Sequence, residues 1–171
     1  QNGKGVDVDL KQAVKWFKKA AEQGNKLAQY EMGIANDDSI KDEESVKWMY
    51  KSALQDYDKA KYELGKILLS GKGIRINKKE AEKWFRSASN ANAKIELAIL
   101  IKNSKSEEKQ KESIQILTKY AEEQNATAQY HFGVYLLNQD NPEKAKIWLT
   151  KAANQGNKEA QYERYKISQN E

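Results

Sequence analysis

The sequence predicts an all-α fold, a right-handed α/α solenoid of stacked helix-turn-helix repeats. Three observations predict it. Tryptophans recur in steps of 32 and 36 residues from Trp16 to Trp48 to Trp84, and Trp148 follows Ile116, in the fourth slot, by another 32. The residues around them repeat as well. Lys15-Trp16-Phe17-Lys18-Lys19-Ala20-Ala21-Glu22-Gln23-Gly24-Asn25 returns as Ile147-Trp148-Leu149-Thr150-Lys151-Ala152-Ala153-Asn154-Gln155-Gly156-Asn157. Finally, the chain has one Pro in 171 residues and is rich in Ala, Lys, Glu and Gln, which lose little rotamer freedom in helices. A period of this size is one supersecondary unit that buries its apolar face only against its neighbours.

Each period reads as two helices. In chain order, Leu10–Glu22 carries the first Trp frame and stops at Gly24, a position that favours a left-handed backbone. Lys26–Asn36 sets Ala28, Met32 and Ala35 on one face. Glu43–Gln55 holds the Trp48 frame, and Lys59–Ser70 repeats the small-apolar face with Ala60, Leu64 and Ile67. Gly71-Lys72-Gly73 then turns the chain, and Asn77 with Glu80 has capping-box spacing ahead of Lys78–Ser89. Ala93–Asn103 follows, then Ser104 with Glu107 opens Glu107–Glu123. Ala126–Asn138 carries Ala128-Gln129-Tyr130-His131-Phe132-Gly133. Asn141 caps Pro142–Asn154, with Pro at the first helical position where its missing N–H costs nothing. Gly156 ends that helix, and Lys158–Ser168 closes the series with Ala160-Gln161-Tyr162-Glu163. Gly33, Gly65 and Gly133 sit beside the apolar face, where the lost side chain lets a neighbouring helix approach. Trp16, Trp48, Trp84 and Trp148 are expected to fill the space between consecutive pairs.

Composition excludes several chemistries. The chain has no Cys and one His, so thiolate nucleophiles, disulfides, Cys-based zinc sites and paired-imidazole sites are absent. No apolar run approaches 18 residues, so no membrane-spanning helix is expected. Thirty basic against 25 acidic residues leave a net charge of +5 with both signs interspersed, unlike the concentrated basic face of a nucleic-acid reader. Gly71-Lys72-Gly73 lacks the Ser/Thr and preceding strand of a phosphate loop. The acidic stretch Asp37–Glu44 lacks the Gly turn and terminal Glu of a calcium loop. His131 has no nucleophile frame nearby and reads as a partly exposed helix residue. Asn125-Ala126-Thr127 fits a glycosylation triplet, a pattern that arises easily by chance. No catalytic residue, metal or cofactor is expected.

The pattern Ala-x-x-x-Leu-Gly, Gly-x-Gly-Val/Ile, Ala-x-x-Trp-x-x-x-Ala resembles the SEL-one-like repeat (SLR) family, relatives of the tetratricopeptide repeats. The unit with Ala60, Leu64, Gly65, Gly71-Lys72-Gly73-Ile74, Ala81, Trp84 and Ala88 matches best. The resemblance covers essentially the whole chain as one array: a partial repeat 1–25, repeats of about 26–58, 59–92, 93–125 and 126–157, and a final helix 158–171. The first unit enters midway, at Gly3-Lys4-Gly5-Val6, which suggests a longer array cut before it. Residue 1 is Gln rather than Met, so any targeting segment is expected to have been removed. The second and fifth units lack the Gly-x-Gly loop. The fourth replaces Gly with Ala98 and Trp with Ile116, and its short incoming linker predicts local distortion of the stack.

In such arrays the first helices line a concave surface that holds partners. The positions opposite the Ala/Leu face are Tyr30 and Ile34, Tyr62 and Lys66, Ile95 and Ile99, Tyr130 and Val134, and Tyr162. Tyrosine supplies a rigid apolar body with one hydroxyl and suits a binding ladder; the same residues also suit packing between helices. The resemblance implies a non-catalytic adaptor or scaffold whose groove holds another protein, of a kind often bacterial and exported to the periplasm or beyond. It also allows a bacterial immunity protein that inhibits a toxic effector enzyme. Cysteine-rich relatives linked to β-lactams are a third comparison, but their Cys pairs are missing here and no Ser-x-x-Lys replaces them.

Overall fold

A computed structural model describes residues 10–35 and 42–169. Among them it shows ten helices and no strand: α1 Leu10–Glu22, α2 Lys26–Ile34, α3 Asp42–Leu54, α4 Asp58–Ser70, α5 Lys78–Ser87, α6 Ala91–Ile101, α7 Glu107–Glu122, α8 Ala126–Asn138, α9 Pro142–Asn154 and α10 Lys158–Gln169. Every expected helix is present, with ends within about two residues of expectation. The Gly3-Lys4-Gly5-Val6 loop, Asn36 and most of the acidic stretch lie outside the described residues.

Local chemistry sets the ends. Asn25, Asn77, Asn125 and Asn141 each accept a hydrogen bond from the backbone N–H three residues on, and Asn77 also donates to the Glu80 carboxylate at 3.0 Å. These contacts satisfy amides that the first helical turn leaves unpaired. The α7 cap is not Ser104. Ser106 caps it by accepting from Lys109 N, while Ser104 Oγ accepts from Ser106 N one turn earlier. The left-handed stops expected at Gly24 and Gly156 are present, at φ +91° and +86°. Asp56 and Gln124 take corresponding left-handed positions at φ 62° and 65°. Gly71, at φ 77°, caps α4 through its N–H to Ile67 O, as the inter-helix turn requires.

The helices form two compact units that divide between Ala93 and Lys94, within α6. In the first, Ala21, Ala28, Met32 and Trp48 make one core, and Leu64, Leu68, Ala81 and Phe85 are fully buried. In the second, Ile95, Ala98, Leu117, Ala121 and Ala128 join α6, α7 and α8, while Ala145, Leu149, Ala152, Ala153 and Ala160 join α9 and α10. Small residues dominate these lists because helices approach closely there. A Cβ added at Gly33 would stand 2.7 Å from Met49, at Gly65 2.4 Å from Phe85, and at Gly133 2.8 Å from Leu149.

The tryptophans do not behave alike. Trp48 is 7% exposed and Trp84 and Trp148 are half-buried, but Trp16 is 67% exposed. Burial of Trp16 was the expectation and it is not met: no described helix covers that side of α1, and a ring is buried in this fold only where another helix lies over it. Lysines one turn on lie over three of the rings, with Lys19, Lys51 and Lys151 ammonium groups 4.9, 4.2 and 4.1 Å from the Trp16, Trp48 and Trp148 centroids. Such cation–π contacts contribute about 0.5–1 kcal/mol each at exposed sites.

Candidate partner-binding face

A recurring polar staple fixes the first helices before any partner is considered. Gln29 Nε2 donates to Ala21 O at 3.0 Å, Gln129 Nε2 to Ala121 O at 3.1 Å and Gln161 Nε2 to Ala153 O at 3.2 Å. Each amide thereby occupies a carbonyl at the end of the preceding helix, a group with no partner inside its own helix. Gln55 then donates to Gln29 Oε1 at 2.7 Å, and Gln155 to Gln129 Oε1 at 2.8 Å. Lys61 replaces the glutamine in α4. It is buried, donates to Ser87 O at 2.9 Å and is paired with Asp56. Asp58 accepts from Ser89 N and Asn90 N, tying the start of α4 to the start of α6. Burial pushes the Asp58 pKa up, but these bonds outweigh it and hold the carboxyl below its ordinary value.

On this frame the first helices present the predicted residues unequally. Tyr30 is half-buried, its ring edge-on to Tyr57 at 5.2 Å. Tyr62 is half-buried with its centroid 6.4 Å from that of Phe85. Tyr130 and Val134 pack against the Ala145–Leu149 core. Ile34 is 42% exposed, Lys66 is exposed, and Tyr162 is 62% exposed. Ile95 is not on an open surface at all. It is 3% exposed in the core shared by α6, α7 and α8, because an aliphatic chain with no hydroxyl to keep wet follows its apolar neighbours inward. Packing between helices therefore accounts for Tyr30, Tyr62 and Tyr130 in large part, and each leaves an edge accessible.

The charges around these rings were not anticipated. In the first unit Glu63 and Lys66 form an ion pair of 3.1 Å, with the Lys66 ammonium 5.0 Å from the Tyr62 ring. The second unit has the same arrangement: Glu163 and Lys166 at 2.9 Å, Lys166 at 5.1 Å from the Tyr162 ring. Burial raises the Tyr30 pKa first and Glu63 adds to it, and for Tyr130 burial is followed by Glu163 and Glu159. Both phenols therefore stay protonated at neutral pH and keep their O–H donors. Each unit separately offers a tyrosine ring and hydroxyl, a carboxylate and an ammonium on adjacent first helices. That combination can take a polypeptide with apolar and polar groups together. The signal was present in the sequence as the repeat Tyr-Glu-x-x-Lys at 62–66 and 162–166.

His131 is half-buried, with Nδ1 3.4 Å from Lys102 Nζ. Asn125 of the glycosylation triplet uses its side-chain oxygen on Ala128 N at 3.0 Å. Among the described residues no cluster of three His, Cys, Asp or Glu could hold a metal, and no helix is long and apolar enough to cross a membrane.

The model of the Sel1 repeat matches residues 1–25, 26–57, 58–92 and 124–157, well over half of the chain. The chain belongs to the Sel1 repeat family. The stretch 93–123 that falls between matches is the α6–α7 unit with Ala98 and Ile116. Among solved structures, the chain is similar to c5321, a protective antigen of uropathogenic Escherichia coli strains with an SLR fold. The two are 29% identical with a TM-score of 0.79, over 94% of this chain and 37% of that one. A Sel1 repeat protein from Oxalobacter formigenes is 26% identical, with a TM-score of 0.74 over 88% of this chain and 67% of that one. MamA, at 19% identity and a TM-score of 0.60 over 88% of this chain and 90% of that one, shares the fold. This Sel1 repeat chain thus spans little more than a third of the c5321 structure. Comparison with curated proteins finds no match.

Proposed function

We propose that this Sel1 repeat protein is a non-catalytic scaffold that holds a partner protein on its first-helix faces. The observation that carries the reading is the repetition of one surface in both units: Tyr62 with Glu63–Lys66, and Tyr162 with Glu163–Lys166. Tyr162 is 62% exposed and, like Tyr62, lies under a lysine one turn on. An exposed tyrosine held under a lysine is the type of side chain that anchors protein interfaces. The expected contact residues are Tyr62, Lys66 and Tyr162, flanked by Ile34, Tyr30, Tyr130 and Val134. Ile95, being buried, supports the fold.

The test is site-specific photo-crosslinking in cells of the source organism, with the crosslinker at 66 or 162 and, as control, at Ile147, which is exposed on α9. A single protein crosslinked from 66 and 162 but not from 147 is the expected result. Equal crosslinking from all three positions, or from 147 alone, would remove the first-helix assignment. Assay of the captured protein with and without this chain then separates a scaffold, which leaves its client active, from an inhibitor, which silences it.

A further inference from the structure

The first helices share one register. Three residues after the buried alanines Ala28, Ala60, Ala93 and Ala160 stand half-buried glutamates, Glu31, Glu63, Glu96 and Glu163. Three residues after Ala128 stands His131 instead. Nine residues after Ala60 and Ala128 the chain has Leu69 and Leu137, but nine after Ala93 it has Lys102, just past the end of α6. The repeat requires neither His131 nor Lys102, yet the two departures meet. Lys102 Nζ lies 3.4 Å from His131 Nδ1, and both residues are half-buried. A carboxylate is lost at one position and an ammonium gained at the other, both changes in the positive direction.

An ammonium has no lone pair, so Lys102 donates and Nδ1 accepts, which leaves the imidazole proton on Nε2. At 3.4 Å the bond is long and weak. Lys102 has no carboxylate partner among the described residues. The Tyr130 ring flanks the imidazole, with centroids 4.8 Å apart. Burial first and the Lys102 charge second hold the His131 pKa at about 4, and Glu159 on α10 opposes them only in part. The site thus pairs a half-buried ammonium without a counter-ion and an imidazole that this ammonium keeps neutral.

We propose that Lys102 and His131 form a subsite for one carboxylate of the polypeptide held on the first-helix face. This deepens the scaffold reading and rests on it. The carboxylate enters between Nζ and Nδ1. One oxygen accepts from the Lys102 ammonium, and the other accepts from Nδ1, which has taken one proton from solvent. Two charge-assisted bonds replace one weak bond. A carboxylate at this distance favours the imidazolium, so binding and proton uptake are linked. The folded imidazole titrates higher with the ligand than without it, and affinity therefore rises as the pH falls. A glutamate of ordinary pKa, about 4.3, stays ionised down to pH 5.5, so the range from 7 to 5.5 reads the imidazole.

His131 is the only histidine of the chain, and its NMR resonances report on this site alone. The full chain is titrated with acetyl-Ala-Glu-Ala-amide, whose carboxylate is a side chain, and with acetyl-Ala-Ala-Ala, whose carboxylate is the chain end. Acetyl-Ala-Gln-Ala-amide at equal ionic strength is the control. At least one carboxylate peptide should move the imidazole titration upward by about one pH unit or more and bind more tightly at pH 5.5 than at 7. Which peptide does so tells a side chain from a terminus. Lys102→Leu and His131→Glu install residues that the repeat already carries at these positions, so the fold is kept. Each should weaken binding, read from backbone amide shifts, by at least about tenfold. No upward movement with either carboxylate peptide, an equal movement with the glutamine peptide, or undiminished binding by Lys102→Leu would overturn the proposal. The peptides stand in for the partner, so failure here leaves the crosslinking test of the first-helix face intact, and that test can fail while this subsite still binds.

Discussion

Gly65 and Phe85 lie so close that a Cβ on the first would stand 2.4 Å from the ring of the second. Helices α4 and α5 are thus packed at backbone-to-ring contact, and the glycine is required by space rather than by backbone angle. Gly65→Ala should destabilise the chain by about 1–3 kcal/mol through overpacking, even though alanine is the better helix former by about 1 kcal/mol. Gly33→Ala should cost less, since its nearest neighbour is the flexible end of Met49 at 2.7 Å. Urea unfolding of both variants checks the order; a Gly65→Ala chain as stable as the original would refute the packing argument.

The glycines were legible because repetition places them: three copies in one register point to a shared neighbour before any neighbour is known. The ten helices were legible for the same reason, together with their asparagine caps. What repetition could not supply was context. Trp16 has the frame of Trp48 but no described helix over it, and Ile95 has the frame of Tyr62 but apolar neighbours on all sides. Ser104 and Ser106 both precede α7, and only backbone geometry decides which caps it. The glutamines recur as visibly as the glycines, yet a hydrogen bond between residues 26 apart depends on how two helix ends meet.

Gln29 links three parts of the first unit, donating to Ala21 O and accepting from Gln55 Nε2. Gln29→Leu keeps the volume but removes two hydrogen bonds, its own to Ala21 O, which then keeps only the Gly24 N–H, and that from Gln55 Nε2, which then keeps only Gly24 O. The expected cost is about 1–3 kcal/mol, and Gln129→Leu should behave alike in the second unit. A double variant Gln29→Leu/Gln55→Leu should cost less than the sum of its parts, because the two share one bond. Strict additivity in chemical denaturation would show that the bond contributes nothing.

Burial, with Lys102 adding to it, pushes the His131 pKa from 6.5 down to about 4. The unfolded chain therefore binds the imidazole proton first, so stability on this account is full above about pH 6.5. It falls as the pH drops toward 4, where the folded imidazole also titrates. The loss should be about 1–2 kcal/mol once partial solvent screening is allowed for. His131→Gln should flatten the stability curve between pH 6.5 and 4 relative to the original chain. An unchanged slope there would show that His131 titrates normally in the fold.

The tryptophans test how far one sequence slot can differ in energy. Trp48→Ala empties a site 7% exposed at the centre of a core and should cost about 3–5 kcal/mol. Trp16→Ala removes a ring that is 67% exposed and should fall within about 1 kcal/mol of the original. Trp48→Phe is the sharper experiment. The Trp48 indole N–H is buried without a hydrogen-bond partner among the described residues, whereas Trp84 Nε1 reaches Glu80 at 3.5 Å. Replacing Trp48 by phenylalanine therefore removes an unsatisfied donor along with some packing, and the two effects oppose each other. Trp48→Phe should lose well under half of what Trp48→Ala loses in thermal and urea unfolding. Equal losses would mean that the lost volume outweighs the relieved N–H, and that the indole is held there by shape alone.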